Sequence, residues 1–167
     1  ACLFARLKRK SVDIGLGPEP LVNNVYHKKA LELHGYSAET FADHPYFITS
    51  EFDIIISKKV TFLPVSIKML LFFLVSVFRY KCLYIYFNGG SLYQSLWLWK
   101  VESYLYKLAG VKIVVMPYGS DIQNMALSSN LHFKHCMSQD YPDHKHKLNR
   151  LRSSCEMWTN HASHVIS

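Results

Sequence analysis

The chain lacks the signatures of several common enzyme classes. It has no G-x-S-x-G elbow, no P-loop and no protein-kinase set of motifs. Its four cysteines, Cys2, Cys82, Cys136 and Cys155, contain no pair at the close spacing of a zinc or redox motif. That argues for a reducing compartment rather than a disulfide framework. Cys82 lies in an apolar run and reads as a small buried hydrophobe. Residues 1–7 are too short for a signal peptide. The most apolar stretch, residues 60–78, is interrupted by Pro64 and Lys68. Only residues 69–78 are nearly free of polar side chains, well short of the ~20 that a spanning helix needs. A core-facing or membrane-surface helix is expected there. No internal repeat or low-complexity segment is present.

What remains is the composition of one globular domain. The 167 residues suit a single sizeable core, and half of them are hydrophobic. With 11 Tyr and 10 Phe, the chain is apolar enough to keep a surface for a partner domain or a membrane. The formal net charge is +7. Basic residues cluster at Arg6, Lys8, Arg9 and Lys10, and again at Lys145, Lys147, Arg150 and Arg152. This balance favours anionic partners such as membrane lipids, nucleotide phosphates or nucleic acid. Two solvated basic faces would give the same composition.

Strand-like and helix-like segments alternate along the chain. Residues 11–16 read as a first strand, and 21–34 as a helix stopped by Gly35. Residues 36–41 read as a second strand, the stretch from His44 and Pro45 as a loop, and 52–57 as a third strand. The long apolar helix is expected over 65–80, followed by a strand over 82–87. A helix over 92–108, ended by Gly110, leads to a strong buried strand over 111–116. A further helix lies within 142–162, starting at or after Asp143, and residues 164–167 resemble a last strand. This alternation predicts an α/β fold, a Rossmann-like parallel sheet with helices on both faces. The runs are continuously apolar, as in strands buried on both sides.

In such sheets ligands bind at the carboxyl ends of strands. Three loops occupy that position. The first holds Gly15 and Gly17, followed by Pro18-Glu19-Pro20; it is not a dinucleotide fingerprint, and it serves equally as an ordinary strand-to-helix turn. The second is Asn88-Gly89-Gly90-Ser91, whose amides are expected to lie over a cleft or simply to cap a helix. The third is Tyr118-Gly119-Ser120-Asp121, with hydroxyl, amide and carboxylate groups suited to a hydroxyl-rich ligand. Asp121 is a candidate base or hydroxyl ligand, or else the cap of a helix near Ile122. If it acts in the chemistry, its loss lowers turnover and leaves the fold intact.

The histidine pairs His132 with His135, and His161 with His164, are spaced i, i+3 but have no well-placed third metal ligand. His144 and His146 complete the late histidines; surface or core roles fit all six better than zinc. Trp97, Trp99, Tyr104 and Tyr106 fall in a predicted helix at i, i+2 spacing and so point to opposite sides. That argues for burial and a domain or membrane contact, and against a nucleic-acid stacking platform.

Together these loops resemble the N-terminal domain of family 4-like glycosyltransferases of the GT-B fold. The carrying stretches are GPEPLVNNVYHKKALELHGYSAETF, YFNGGSL, WLWKVESYLYKLAGVKIVVMPYGSD and QDYPDHKHKLNRLRSSCEMWTNHASHVIS. The resemblance spans about residues 12–167, with 53–79 the least diagnostic. It implies retaining transfer of a sugar from a nucleotide-sugar donor to a glycan or lipid-linked acceptor. It also implies that residues 1–167 form one acceptor-side domain. A C-terminal donor domain, with its basic pair and E-x7-E glutamates, would be absent from this chain. By resemblance, Gly15 and Gly17 approach the donor phosphates or the acceptor, and Asn88, Gly89 and Gly90 line the cleft. Tyr118, Gly119, Ser120 and Asp121 contact the acceptor or reacting sugar. No metal or other cofactor is implied, in keeping with the lack of a D-x-D carboxylate pair. The Pro18-Glu19-Pro20 turn departs from the glycine-rich turn of many relatives. The expected place is the cytoplasm, either free or peripheral at the inner face of the membrane. A non-catalytic interaction module with the same shell is the alternative.

Overall fold

A computed structural model describes residues 1–45, 51–59, 61–123, 128–142 and 144–166. The loop beyond Pro45, a helix start at Asp143 and a strand end at Ser167 fall partly or wholly outside these residues. So do the side chains of His144, Lys145, His146 and Lys147.

Six strands form the sheet: β1 (Val12–Leu16), β2 (Ala38–Ala42), β3 (Ile54–Ile55), β4 (Tyr80–Tyr86), β5 (Lys112–Met116) and β6 (His164–Val165). Their order is β3-β2-β1-β4-β5-β6 and every pairing is parallel. This is the doubly wound Rossmann-like order, with a switch point between β1 and β4. The helices are α1 (Cys2–Leu7), α2 (Val22–Leu33), α3 (Ile56–Lys59), α4 (Val65–Arg79), α5 (Glu102–Leu108), α6 (Leu131–Asp140) and α7 (His144–His161).

Right-handed crossovers send α2 to one face of the sheet and α4, α5 and α7 to the other. On the second face Phe72, Phe73 and Val77 of α4 pack into one core with Leu83, Ile85, Ile113 and Val115 of the sheet. Tyr106 of α5 and Trp158 of α7 complete it, the Phe73 and Tyr106 rings lying 5.1 Å apart. On the first face α2 lays Asn24, Val25 and His27 towards the sheet. Its end is set by Gly35 at φ +83°: Gly35 N donates to Glu32 O and Tyr36 N to Leu31 O, a Schellman closure.

Three elements differ from expectation. The helix expected over 92–108 is helical only from 98, as a 3₁₀ turn over Leu98–Val101 and then α5. Ser95 explains the delay. Its hydroxyl donates to Leu92 O and accepts from Trp99 N, competing for groups that a continuous helix would use. The third strand shortens to two residues and passes directly into α3. Helix α6, without a helical apolar stripe, is fixed at its start by Asn130, which accepts from Phe133 N, and buries no residue.

Candidate functional site

The carboxyl ends of β1, β4 and β5 lie side by side, so the loops that follow them share one edge. After β1, Gly17 N still donates to Tyr84 O, extending the ladder by one bond. Gly17 has φ +150°, and a Cβ there would sit 2.1 Å from Phe41 O. Only glycine fits. Gly15 is different. It lies inside β1, where an added Cβ would meet Tyr80 and Leu83, so it serves strand packing and not the loop.

The chain then turns through Pro18 and Glu19 into α2. Asn24, fully buried in the first turns of α2, donates to Glu19 O at 2.8 Å and accepts from the Tyr86 hydroxyl at 2.8 Å. This locks the first loop to β4. The Glu19 side chain faces the second loop, where Asn88 Nδ2 lies 3.4 Å from its Oε2. Burial pushes the Glu19 carboxyl above its ordinary value. Asn88 also donates to the Tyr118 hydroxyl of the third loop. Burial likewise pushes Tyr118 up to about 12, keeping its hydroxyl protonated near neutrality. Thus Glu19, Asn88 and Tyr118, one from each loop, converge. Edge-on contacts continue the layer inward, from Tyr118 to Tyr86 at 5.4 Å, Tyr86 to Tyr84 at 6.0 Å and Tyr84 to His27 at 5.3 Å.

Asp121 does not join this group. It is fully buried, and its Oδ1 accepts from Tyr118 N and Gly119 N, both at 2.9 Å, while Oδ2 accepts from Phe87 N at 3.0 Å. Ile122 and Gln123 are not helical, and Asp121 sits in a turn. The carboxylate ties the β5 loop to the β4 loop, which is a positioning role. Ser120 and Gly119 lie on the exposed side of that turn. Comparison with protein-family models, curated proteins and solved structures gives no match to the chain.

The second loop also departs from expectation. Gly90 N donates to Glu102 Oε2 at 3.3 Å and Leu92 N to Glu102 Oε1 at 2.8 Å. Gly89 N donates to Tyr86 O. The Gly90 and Leu92 amides therefore point inward to a carboxylate of the chain itself and the Gly89 amide to a backbone carbonyl, not over a cleft. A Cβ on Gly90 would lie 2.6 Å from Glu102 Oε1, so a larger residue there has to displace the carboxylate that holds the loop. Asn88 is the loop residue left facing the shared edge.

Motif reasoning passed over Glu102, Asn24, His27, Tyr84 and Tyr86. The signal for Glu102 is its isolation, since no acid lies between Asp53 and Glu102. The signal for Asn24 and His27 is their i, i+3 spacing on one face of α2. No cluster of three His, Cys, Asp or Glu residues able to hold a metal ion occurs among the described residues. His161 ends α7 with its ring 4.3 Å from Tyr104, while His164 is in β6, so this pair does not share a helix face.

Glu102 makes the pH dependence of folding specific. Burial raises its carboxyl from an ordinary 4.5 to about 7. The native state therefore holds this proton more tightly than the unfolded chain does. The stability that Glu102 contributes is fullest below pH 4.5, falls as pH rises from 4.5 to about 7, and is level above. The full change is about 3 kcal/mol. In Glu102→Gln this contribution disappears. Urea unfolding at pH 5 and pH 8 is expected to show the stability gap between wild type and Glu102→Gln shifting by about that amount in the variant's favour at the higher pH.

Proposed function

We propose that the chain is the acceptor-side domain of a retaining, GT-B type glycosyltransferase that moves a sugar from a nucleotide-sugar donor to a glycan or lipid-linked acceptor. The observation that carries this reading is the meeting of Glu19, Asn88 and Tyr118 at the carboxyl edge, beside the switch point. A carboxamide, a phenol hydroxyl and a desolvated carboxyl offer both donors and acceptors to sugar hydroxyls. The motifs at the same three loops are those on which the family resemblance rests. Glu19, with its raised carboxyl, takes the place at the shared edge that Asp121 does not occupy. In this reading the donor is held mainly by a second domain across the crevice, and the enzyme works at the inner face of an anionic membrane.

The test is the coding sequence past Ser167, followed by an assay of the whole natural protein. A second Rossmann-like unit with paired glutamates, and transfer of labelled sugar from a nucleotide donor, supports the reading. In that protein Asn88→Ala is expected to lower kcat/KM by about 10- to 100-fold, because it removes one polar group that meets the substrate and loosens Tyr118 and Glu19. An unchanged kcat/KM removes Asn88 from the site.

A second reading is a non-catalytic binding module. It is favoured by the inward amides of Gly90 and Leu92, which leave no anion cradle in that loop. A natural stop directly after Ser167, with no sugar binding, would select it.

A further inference from the structure

We propose that the outer face formed by α1 and α4 docks on an anionic lipid bilayer. This deepens the reading above by naming the surface that would bring the domain to a lipid-borne acceptor.

Helix α4 is apolar on both sides. Phe72, Phe73 and Val77 turn inward to the sheet. Ile67, Leu70, Leu71 and Val75, at i, i+3, i+4 and i+8, form the opposite stripe and are 42–45% exposed. A helix without a polar face belongs in a core or in lipid. The stripe does not stand alone. Phe4 of α1 meets Phe78 of α4 edge-on at 6.5 Å, and Leu3, Phe4 and Leu7 are 66–86% exposed. Val65, the first residue of α4, and Phe62 just before the helix are exposed as well. The result exceeds a scatter of single apolar residues, which would need no explanation.

Charge identifies the occupant. Lys8, over the Phe78 ring, and Lys68 of α4 border the face, Arg9 follows Lys8 in the chain, and none of the three makes an ion pair among the described residues. Lys8 Nζ lies 5.7 Å from the Phe78 ring centre, so cation and apolar surface are contiguous. No Asp or Glu precedes Asp13, and none lies between Asp53 and Glu102. A second copy packed face to face would oppose like charges and leave them unpaired. Anionic headgroups beneath an acyl layer satisfy both halves of the surface, the pattern of a helix lying in the interface. No helix among the described residues is long and apolar enough to cross a membrane, so contact is lateral.

The face also leads to the candidate site. Lys68, Met69 and Phe72 of α4 line a pocket whose other wall includes Pro18 of the first loop and Ser91 of the second. Its cavity volume is about 20 Å³, room for only about one or two waters. Asp43 lines it too, so this cavity separates the lipid face from the loops that carry Glu19 and Asn88 and is not itself a headgroup seat.

The test is flotation of the purified chain with vesicles, without nucleotide sugar, so that its outcome is independent of sugar transfer. Flotation is expected with vesicles of equal parts phosphatidylcholine and phosphatidylglycerol, and not with phosphatidylcholine alone. Lys8→Gln with Arg9→Gln should weaken binding about 30-fold. Leu71→Ser with Val75→Ser should weaken it about tenfold or more. All four positions are exposed, and unchanged circular dichroism and melting would show that the fold is kept. Leu33→Ser, at the exposed end of α2 on the opposite face of the sheet, should bind as wild type. Absence of flotation on anionic vesicles overturns the proposal. So does equal flotation on neutral vesicles, loss with Leu33→Ser alone, or a dimer in solution that Leu71→Ser with Val75→Ser dissolves. A chain that floats as expected while the whole natural protein transfers no sugar keeps the docking face and removes the glycosyltransferase reading.

Discussion

Asp121→Ala is expected to destabilise the fold by about 3–5 kcal/mol, the range for leaving buried charge-assisted partners unpaired. Three backbone amides, of Phe87, Tyr118 and Gly119, lose their acceptor at once. The residue is fully buried, so water does not readily replace the carboxylate. For a chain of this size that is a melting temperature lower by about 10 °C. Asp121→Asn should cost less, since its one carbonyl oxygen still serves part of the set, while its NH₂ faces an amide donor. Hydrogen exchange sharpens the result: protection should fall first at Phe87, Tyr118 and Gly119. A group acting only on substrate would give the opposite pattern, with melting and exchange unchanged and turnover lost. An unchanged melting temperature in Asp121→Ala therefore sinks the positioning role and returns the residue to the chemistry.

The layout of the fold was legible because it rests on local signals. Apolar runs at residues 82–87 and 111–116, the second broken only by Lys112, correspond to β4 and β5, and Gly35 and Gly110 mark helix ends with positive φ. Right-handed crossovers then decide which face of the sheet each connecting helix covers. The site was legible only as three loops. Which atoms face the shared edge depends on partners far apart in sequence. Glu102 turns the amides of Gly90 and Leu92 inward, and Asp121 binds Phe87 across 34 positions. No spacing rule carries that information. The same limit applies to 92–108, where apolar composition suggests one helix and a single serine hydroxyl, Ser95, delays it. The glycines divide along this line too. Gly15 and Gly17 sit two residues apart and look alike in sequence, yet one packs under Tyr80 and Leu83 and the other abuts a backbone carbonyl.

That difference supports the second large effect. Gly17→Ala is expected to destabilise the chain by more than about 3 kcal/mol, combining a forced overlap with an unfavourable φ. The new Cβ would lie 2.1 Å from Phe41 O and 2.8 Å from Phe41 Cδ2. The carbonyl cannot retreat alone. Phe41 is in β2, fully buried, with its ring 4.6 Å from Phe72 and stacked at 5.9 Å on Tyr80. It is also the register partner of Ile54 in β3. Relief therefore means shifting an edge of the sheet or moving the first loop away from β4. Gly35→Ala is the matched control, because Gly35 also has positive φ, at +83°, but nothing within 4 Å of an added Cβ. It should cost about 1 kcal/mol, the conformational penalty alone. Denaturant unfolding of the two variants separates the terms: their difference is the steric cost of entering the space between β1 and β2. Similar losses for both would show that β2 yields, and that the first loop is set by glycine's backbone freedom and not by close approach.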